Sequence, residues 1–116
     1  MIDPVDTLST LPEPYEILDL APSQSAQIVP VRWEMGKMFM TPRDGRAAKD
    51  IPVLRIHVDR KDKPSAPFWW DITSKRAIAG LLGYLAAPNP GRYRFTIFKD
   101  GAGPSARFPI EATPLA

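Results

Sequence analysis

The segment with the most chemical content is 92–99, Arg-Tyr-Arg-Phe-Thr-Ile-Phe-Lys. Alternation along a β-strand gives such a segment two sides. One side carries Tyr93, Phe95 and Ile97, and the other carries Arg92, Arg94, Thr96 and Phe98. Guanidinium groups neutralise phosphates, and an exposed aromatic ring stacks on an unpaired base. The second side therefore predicts a surface for single-stranded nucleic acid.

Similar chemistry occurs in two other segments. Arg55 and His57 share one side of an expected strand over 51–60, and they extend the basic face if that strand joins the same sheet. In Phe68-Trp69-Trp70, alternation sends Trp69 away from its neighbours, so Trp69 is a candidate base-stacking residue. The alternative for Trp69, as for Trp33, is a bulky core residue of a small domain.

The sequence offers little to catalysis. It contains no GxSxG, GxxxxGK[ST] or GxGxxG motif, no Cys and a single His. Thiolate nucleophiles, disulfides and multi-histidine metal sites are thereby excluded within one chain. His57 has no recognisable Ser or Asp partner at triad spacing, and Asp59 and Asp62 flank a basic run as expected for surface charges. We predict a non-catalytic protein without a cofactor or metal.

The elements that must position these residues are mostly strands. Alternation and β-branched content predict strands over 27–40, 51–60, 67–72, 92–99 and 106–112. One helix is expected after a cap at Thr73 or Ser74, with an apolar stripe formed by Ile78, Leu81, Leu82 and Leu85. The order β-β-β-α-β-β predicts an α+β, mostly β fold: a small antiparallel sheet or a partly open OB-like barrel with one helix.

Charge divides the chain into two parts. Residues 1–20 contain five acidic residues, three prolines and no base, whereas residues 21–116 hold all 15 bases and the other eight acids, a net charge of +7. We interpret 1–20 as an acidic, Pro-rich arm and 21–116 as a single β-rich nucleic-acid-binding domain. The arm is either a solubilising tail or a segment that covers, or competes for, a basic surface on the body.

A short stretch resembles a known family. Residues 98–108, Phe-Lys-Asp-Gly-Ala-Gly-Pro-Ser-Ala-Arg-Phe, resemble a strand-turn-strand element of some phage single-stranded-DNA-binding proteins, in which a basic residue precedes a Gly-x-Gly turn and an Arg-aromatic pair opens the last strand. Pro104 and Ala106 depart from that element, which more usually carries polar residues there. The resemblance implies an OB-like barrel with Lys99, Arg107 and Phe108 at the nucleic-acid face.

Together these patterns predict a non-catalytic, largely sequence-independent binder of single-stranded nucleic acid, with DNA favoured, of viral or replication-accessory origin. Its expected contacts are Arg55, His57, Trp69, Arg92, Arg94, Phe98, Lys99, Arg107 and Phe108. The alternative is a structural or adaptor subunit of a larger, possibly viral assembly that uses exposed aromatic residues as a protein interface. A homodimer and a protein partner for the acidic arm are compatible with either hypothesis.

The length of the apolar segments and the charge of the first residues predict the cellular location. The longest apolar stretch free of charge, residues 77–90, is shorter than the roughly 20 residues that a membrane helix needs. Met1 is followed by Asp3 and Asp6, the reverse of a basic signal-peptide start. We therefore expect an intracellular protein without membrane association, in the cytoplasm or, if it is viral, in the host cytoplasm.

Overall fold

The computed structural model describes residues 8–40, 49–63, 65–86, 90–102 and 106–115. Within these ranges the chain is mostly β, with two small antiparallel sheets and one α-helix. The elements are β1 (Ser25–Ile28), β2 (Arg32–Met40), β3 (Lys49–His57), β4 (Trp69–Ile72), α1 (Lys75–Leu85), β5 (Tyr93–Phe98) and β6 (Ile110–Pro114). A single 3₁₀ turn, Pro90–Arg92, leads directly into β5.

The predicted helix is confirmed, including its start. Ser74 is the N-cap, and its hydroxyl accepts a hydrogen bond from the Ala77 amide at 3.3 Å. That bond satisfies one of the amides that a helix N-terminus leaves unpaired. Of the expected apolar stripe, Ile78, Leu81 and Leu85 are buried, and Leu82 is partly buried against the same core.

The strands form two sheets rather than one. β5 lies between β1 and β6, whereas β3 lies between β2 and β4. The single strand predicted over 27–40 is therefore wrong: the chain leaves the first sheet after Ile28 and enters the second at Arg32. Pro30 lies at this break, where its missing amide proton removes no ladder hydrogen bond. Val31 resumes pairing by donating its amide to the His57 carbonyl at 2.8 Å.

The main core lies between the facing sides of the two sheets and α1. Leu54 and Ile56 of β3 meet Phe95 and Ile97 of β5 there, and α1 contributes Leu81. Burial of these side chains supplies the hydrophobic stabilisation of the fold. No closed barrel is found among the described strands, so the predicted OB-like barrel is not confirmed.

Residues 8–20, which we call the N-terminal strap, cross the side of the second sheet that faces away from this core. At one edge, the Leu11 amide donates to the Lys37 carbonyl and the Lys37 amide to the Ser9 carbonyl, both at 3.0 Å. At the opposite edge, the Leu18 amide donates to the Asp71 carbonyl at 2.9 Å, and the Asp71 amide to the Glu16 carbonyl at 2.7 Å. The strap thus extends the β2 edge and the β4 edge in turn.

Burial confirms that the strap belongs to the fold. Leu11 is buried with Met38 and Val53 in a second, smaller apolar cluster, and Tyr15 packs against it. The interpretation of residues 1–20 as a solubilising tail is therefore wrong for residues 8–20. Within the described ranges, no helix is long and apolar enough to cross a membrane.

Candidate functional site

The outer side of the β1-β5-β6 sheet carries the central part of the predicted site. On β5, Phe95 and Ile97 point into the core, and the intervening residues point away from it. Arg94 and Phe98 are consequently exposed, with Phe98 showing 38% of its surface on the middle strand of the sheet. An aromatic ring on a central strand is usually covered by another layer, so its exposure makes this side a candidate binding surface.

Two further arginines lie on the same side. Arg92 is exposed just before β5, and its carbonyl accepts the Leu115 amide at 2.8 Å. Arg107 is exposed, and its backbone exchanges two hydrogen bonds of 2.8 Å with Asp100. The Asp100–Arg107 bridge continues the β5–β6 register, so alternation places Arg107 on the side of Arg94 and Phe98, and Arg92 lies in the 3₁₀ turn at the Arg94 end of β5. We call Arg92, Arg94, Phe98 and Arg107 the arginine–phenylalanine face.

The electrostatics of this face are mildly positive. Asp100 and Glu111 fall on the same side by the β5–β6 register, so three guanidinium groups stand against two carboxylates. None of the three arginines forms an ion pair with a carboxylate among the described residues. Their side chains are therefore not committed to an internal partner in that part of the chain.

Lys99 and Phe108 lie on the other side of the same sheet. Lys99 directly follows β5 and Phe108 precedes β6, and both line a cavity together with Ile97, whose side chain points into the core. Both are partly buried, unlike the arginine–phenylalanine face. The structure therefore separates these two predicted contacts from Arg94, Phe98 and Arg107.

The expectation that Arg55 lies on an exposed basic face is wrong. Arg55 belongs to the other sheet and is only 1% exposed. Its Nε donates to Asp71 Oδ1 at 2.7 Å and its Nη2 to Asp71 Oδ2 at 3.2 Å, a two-pronged pair. The remaining guanidinium bonds go to strap carbonyls, Nη1 to Pro12 at 2.9 Å and Nη2 to Pro14 at 3.3 Å.

Trp69 packs against the same buried arginine, and His57 packs against Trp69. The Trp69 ring centroid lies 4.5 Å from Arg55 Cζ, and the His57 ring meets Trp69 edge-on at 5.6 Å. His57 Nε2 is 2.9 Å from Glu34 Oε2. Trp69 therefore already stacks on an internal cation, and its partly buried position contradicts the expected exposed platform. No hydroxyl among the described residues is hydrogen-bonded to His57.

The basic residues that follow β3 also differ in exposure. Lys63 is buried, and its Nζ donates to the carbonyls of Ser65 at 2.9 Å and Pro67 at 2.6 Å. Glu16 of the strap approaches the same Nζ at 3.5 Å. Arg60 packs over the Phe68 ring, and Lys61 is exposed. Arg43 and Arg46, two further basic residues of the sequence between β2 and β3 that could contact phosphates, lie outside the described residues.

Exposed apolar residues of β2 form a separate surface. Phe39 is 64% exposed, and Val31 and Trp33 are also exposed. Their odd-numbered spacing places all three on one side of the strand. This surface belongs to the second sheet and does not share a strand with the arginine–phenylalanine face.

Sequence reasoning missed the partner that buries Arg55. Asp71 follows two tryptophans and precedes Ile72, and an acidic residue inside so apolar a strand signals a buried cation nearby. The strap carbonyls gave no such signal, because any residue supplies a carbonyl. No cluster of three or more His, Asp or Glu side chains suited to a metal ion occurs among the described residues.

No family model, curated protein or solved structure matches the chain.

Proposed function

We propose that the arginine–phenylalanine face binds single-stranded nucleic acid without catalysis and largely independently of sequence. The observation that carries the proposal is the exposure of Phe98 on the outer side of the central strand β5, with Arg94 on the same strand and side. A ring offers a stacking platform to any base, and the guanidinium groups offer charge-assisted hydrogen bonds to phosphates.

The spacing of the face suits an extended strand of nucleotides. Arg94 and Phe98 are four residues apart, or about 13 Å along a β-strand. Arg107 lies diagonally across from Phe98, because Asp100 pairs with Arg107 two positions further along β5. One ring is therefore flanked by cations on both sides, an arrangement that places phosphates on either side of a stacked base.

The balance of charge limits the expected affinity. The three arginines of this face can contact at most three phosphates, and two carboxylates lie on the same side. For single strands, three neutralised phosphates give a slope of log K against log salt concentration of about −2. We therefore expect weak, salt-sensitive binding in which stacking contributes a large share of the specificity for unpaired bases.

Fluorescence anisotropy of a labelled oligo(dT) strand tests the proposal. Phe98→Ala should weaken binding about tenfold, as expected for the loss of one stacked base. Arg94→Gln should also weaken binding and make the salt slope shallower by about 0.7. Lys99→Gln is the matched control, because it removes one positive charge from the residue that follows β5 and lines the cavity on the inner side of the sheet; it should change affinity about twofold at most.

Three results would contradict the proposal. One is the absence of oligo(dT) binding by the wild-type chain at low salt. Another is an equal loss of affinity in Arg94→Gln and Lys99→Gln, which would indicate a diffuse charge effect. A third is equal binding of a duplex, since paired bases are not available to stack on Phe98.

A second candidate function rests on β2. The exposure of Phe39, with Trp33 and Val31 on the same side, favours a protein interface of the kind that an adaptor subunit uses. Light scattering in the same buffers distinguishes this function. Stoichiometric association that is insensitive to salt and lost in Phe39→Ser, without oligonucleotide binding, would favour the adaptor over the nucleic-acid binder.

A further inference from the structure

A cavity of about 190 Å³ opens on the inner side of the first sheet. It lies where the last residues of the strap, the β4–α1 junction and β5 converge. Its apolar lining includes the buried Ile72, Ala77 and Ile97 and the partly buried Leu18 and Phe108. For comparison, a dry apolar cavity of about 150 Å³ holds a benzene molecule. The cavity is therefore large enough for a compact ring or a short aliphatic chain.

The polar groups in the lining are few, and two of them lack internal partners. Lys99 forms no ion pair among the described residues. The Thr73 hydroxyl forms no hydrogen bond there either, whereas the neighbouring Ser74 hydroxyl is committed to the Ala77 amide. An apolar pocket with a small number of convergent polar groups is the usual form of a small-molecule site.

The charges around the cavity favour an anion. Asp19, the carboxylate in the lining, is exposed to solvent and lies outside ion-pair distance of Lys99. Lys99 is partly buried and forms no ion pair among the described residues, so an anion in the cavity contacts it more strongly than it would across bulk water.

We propose that this cavity binds a small organic anion with a compact apolar body, its charged head on Lys99 and Thr73 and its body on Ile97, Ala77 and Phe108. Benzoate and short fatty acids represent the class. The site is separate from the arginine–phenylalanine face, since Lys99 lines the cavity on the inner side of the first sheet and Phe98 is exposed on the outer side.

Titration of the ¹⁵N-labelled full chain with benzoate and with benzamide, its neutral analogue of the same shape, tests the proposal. Benzoate should shift the amide resonances of Thr73, Lys99 and Phe108 with millimolar affinity, and benzamide should bind about tenfold more weakly. Lys99→Met should remove the preference for benzoate. Lys75→Met is the matched control, because it removes the same charge from a residue that does not line the cavity, and it should keep the preference.

Equal affinities for benzoate and benzamide in the wild-type chain would overturn the proposal. So would resonance shifts confined to residues outside the cavity, or a benzoate preference that survives Lys99→Met. The comparison of the two compounds needs no variant, so the outcome does not depend on whether a substitution folds. It is also independent of oligonucleotide binding, and either proposal can fail alone.

Discussion

At the scale of single residues, Arg55 and Asp71 show how one pair can organise a sheet face. Both side chains are almost completely buried, and their atoms meet at 2.7 Å. The second carboxylate oxygen also accepts the Glu16 amide at 2.8 Å, and the guanidinium donates to two strap carbonyls. A buried pair is tolerated only when its remaining hydrogen-bonding groups are satisfied in this way.

Asp71→Asn should therefore destabilise the protein by about 3–5 kcal/mol, because it leaves the Arg55 charge buried without a counter-ion. Arg94→Gln is the control: its side chain is exposed and unpaired among the described residues, so its effect should stay within about 0.5 kcal/mol. Urea unfolding followed by circular dichroism measures both. A cost for Asp71→Asn as small as that of the control would show that the pair is not essential to the fold.

At the scale of elements, the contact between the strap and β2 depends on a glycine. Gly36 is buried beneath Leu11, and a Cβ at this position would clash with the Leu11 side chain and lie 2.9 Å from the Ser9 carbonyl oxygen. The backbone of the strap lies close to the sheet only because residue 36 has no side chain.

Gly36→Ala should destabilise the protein by about 1–3 kcal/mol, since the strap must move to accommodate the methyl group. Gly83→Ala is the matched substitution. A Cβ at Gly83 would meet nothing within 4 Å, and the residue is exposed on α1, so alanine should stabilise the protein by about 0.5–1 kcal/mol. The midpoint of thermal unfolding should therefore fall in Gly36→Ala and rise in Gly83→Ala. A neutral Gly36→Ala would mean that the strap is loosely held.

The strap itself combines weak and strong contacts. Its backbone bonds at the two sheet edges are few, but they also close edges that would otherwise be open to pairing with other chains. Its burial of Leu11 and its carbonyl bonds to Arg55 hold the middle of the segment. These contacts cooperate, because Arg55 keeps its partners only while the strap crosses the sheet.

At the scale of the whole molecule, the second sheet is complete only with the strap in place. A chain of residues 21–116 should lose at least about 3 kcal/mol of stability relative to a chain of residues 8–116, because Arg55 loses its carbonyl partners and the Leu11 cluster opens. Comparing these two chains by denaturant unfolding isolates the described strap. Identical unfolding midpoints would contradict its structural role.

The same arrangement explains why only some of the predicted site residues come together. The two sheets pack through their inner sides, so the basic strand faces point in different directions. Among the described residues, no segment covers the outer side of the first sheet, and Arg92, Arg94, Phe98 and Arg107 are exposed there. The outer side of the second sheet is covered by the strap and encloses Arg55.

The secondary structure elements, and the residues that share one side of each element, were largely determined by the sequence itself. The Ser74 cap and the apolar stripe define α1, and alternation along β5 correctly separates Phe95 and Ile97 from Arg94 and Phe98. Alternation also places Arg55 and His57 together on one side of β3. These features depend on neighbours in the chain, for which the periods of 3.6 and 2 residues are sufficient.

The tertiary structure alone decided which sheet each strand joins and which faces are covered. A period of two residues separates the two sides of a strand, but it does not say what lies over each side. Arg55 is buried because Asp71 pairs opposite it on β4 and a segment more than forty residues earlier supplies two carbonyls. Every residue, proline included, carries the same backbone carbonyl, so the strap left no pattern from which this burial could be predicted.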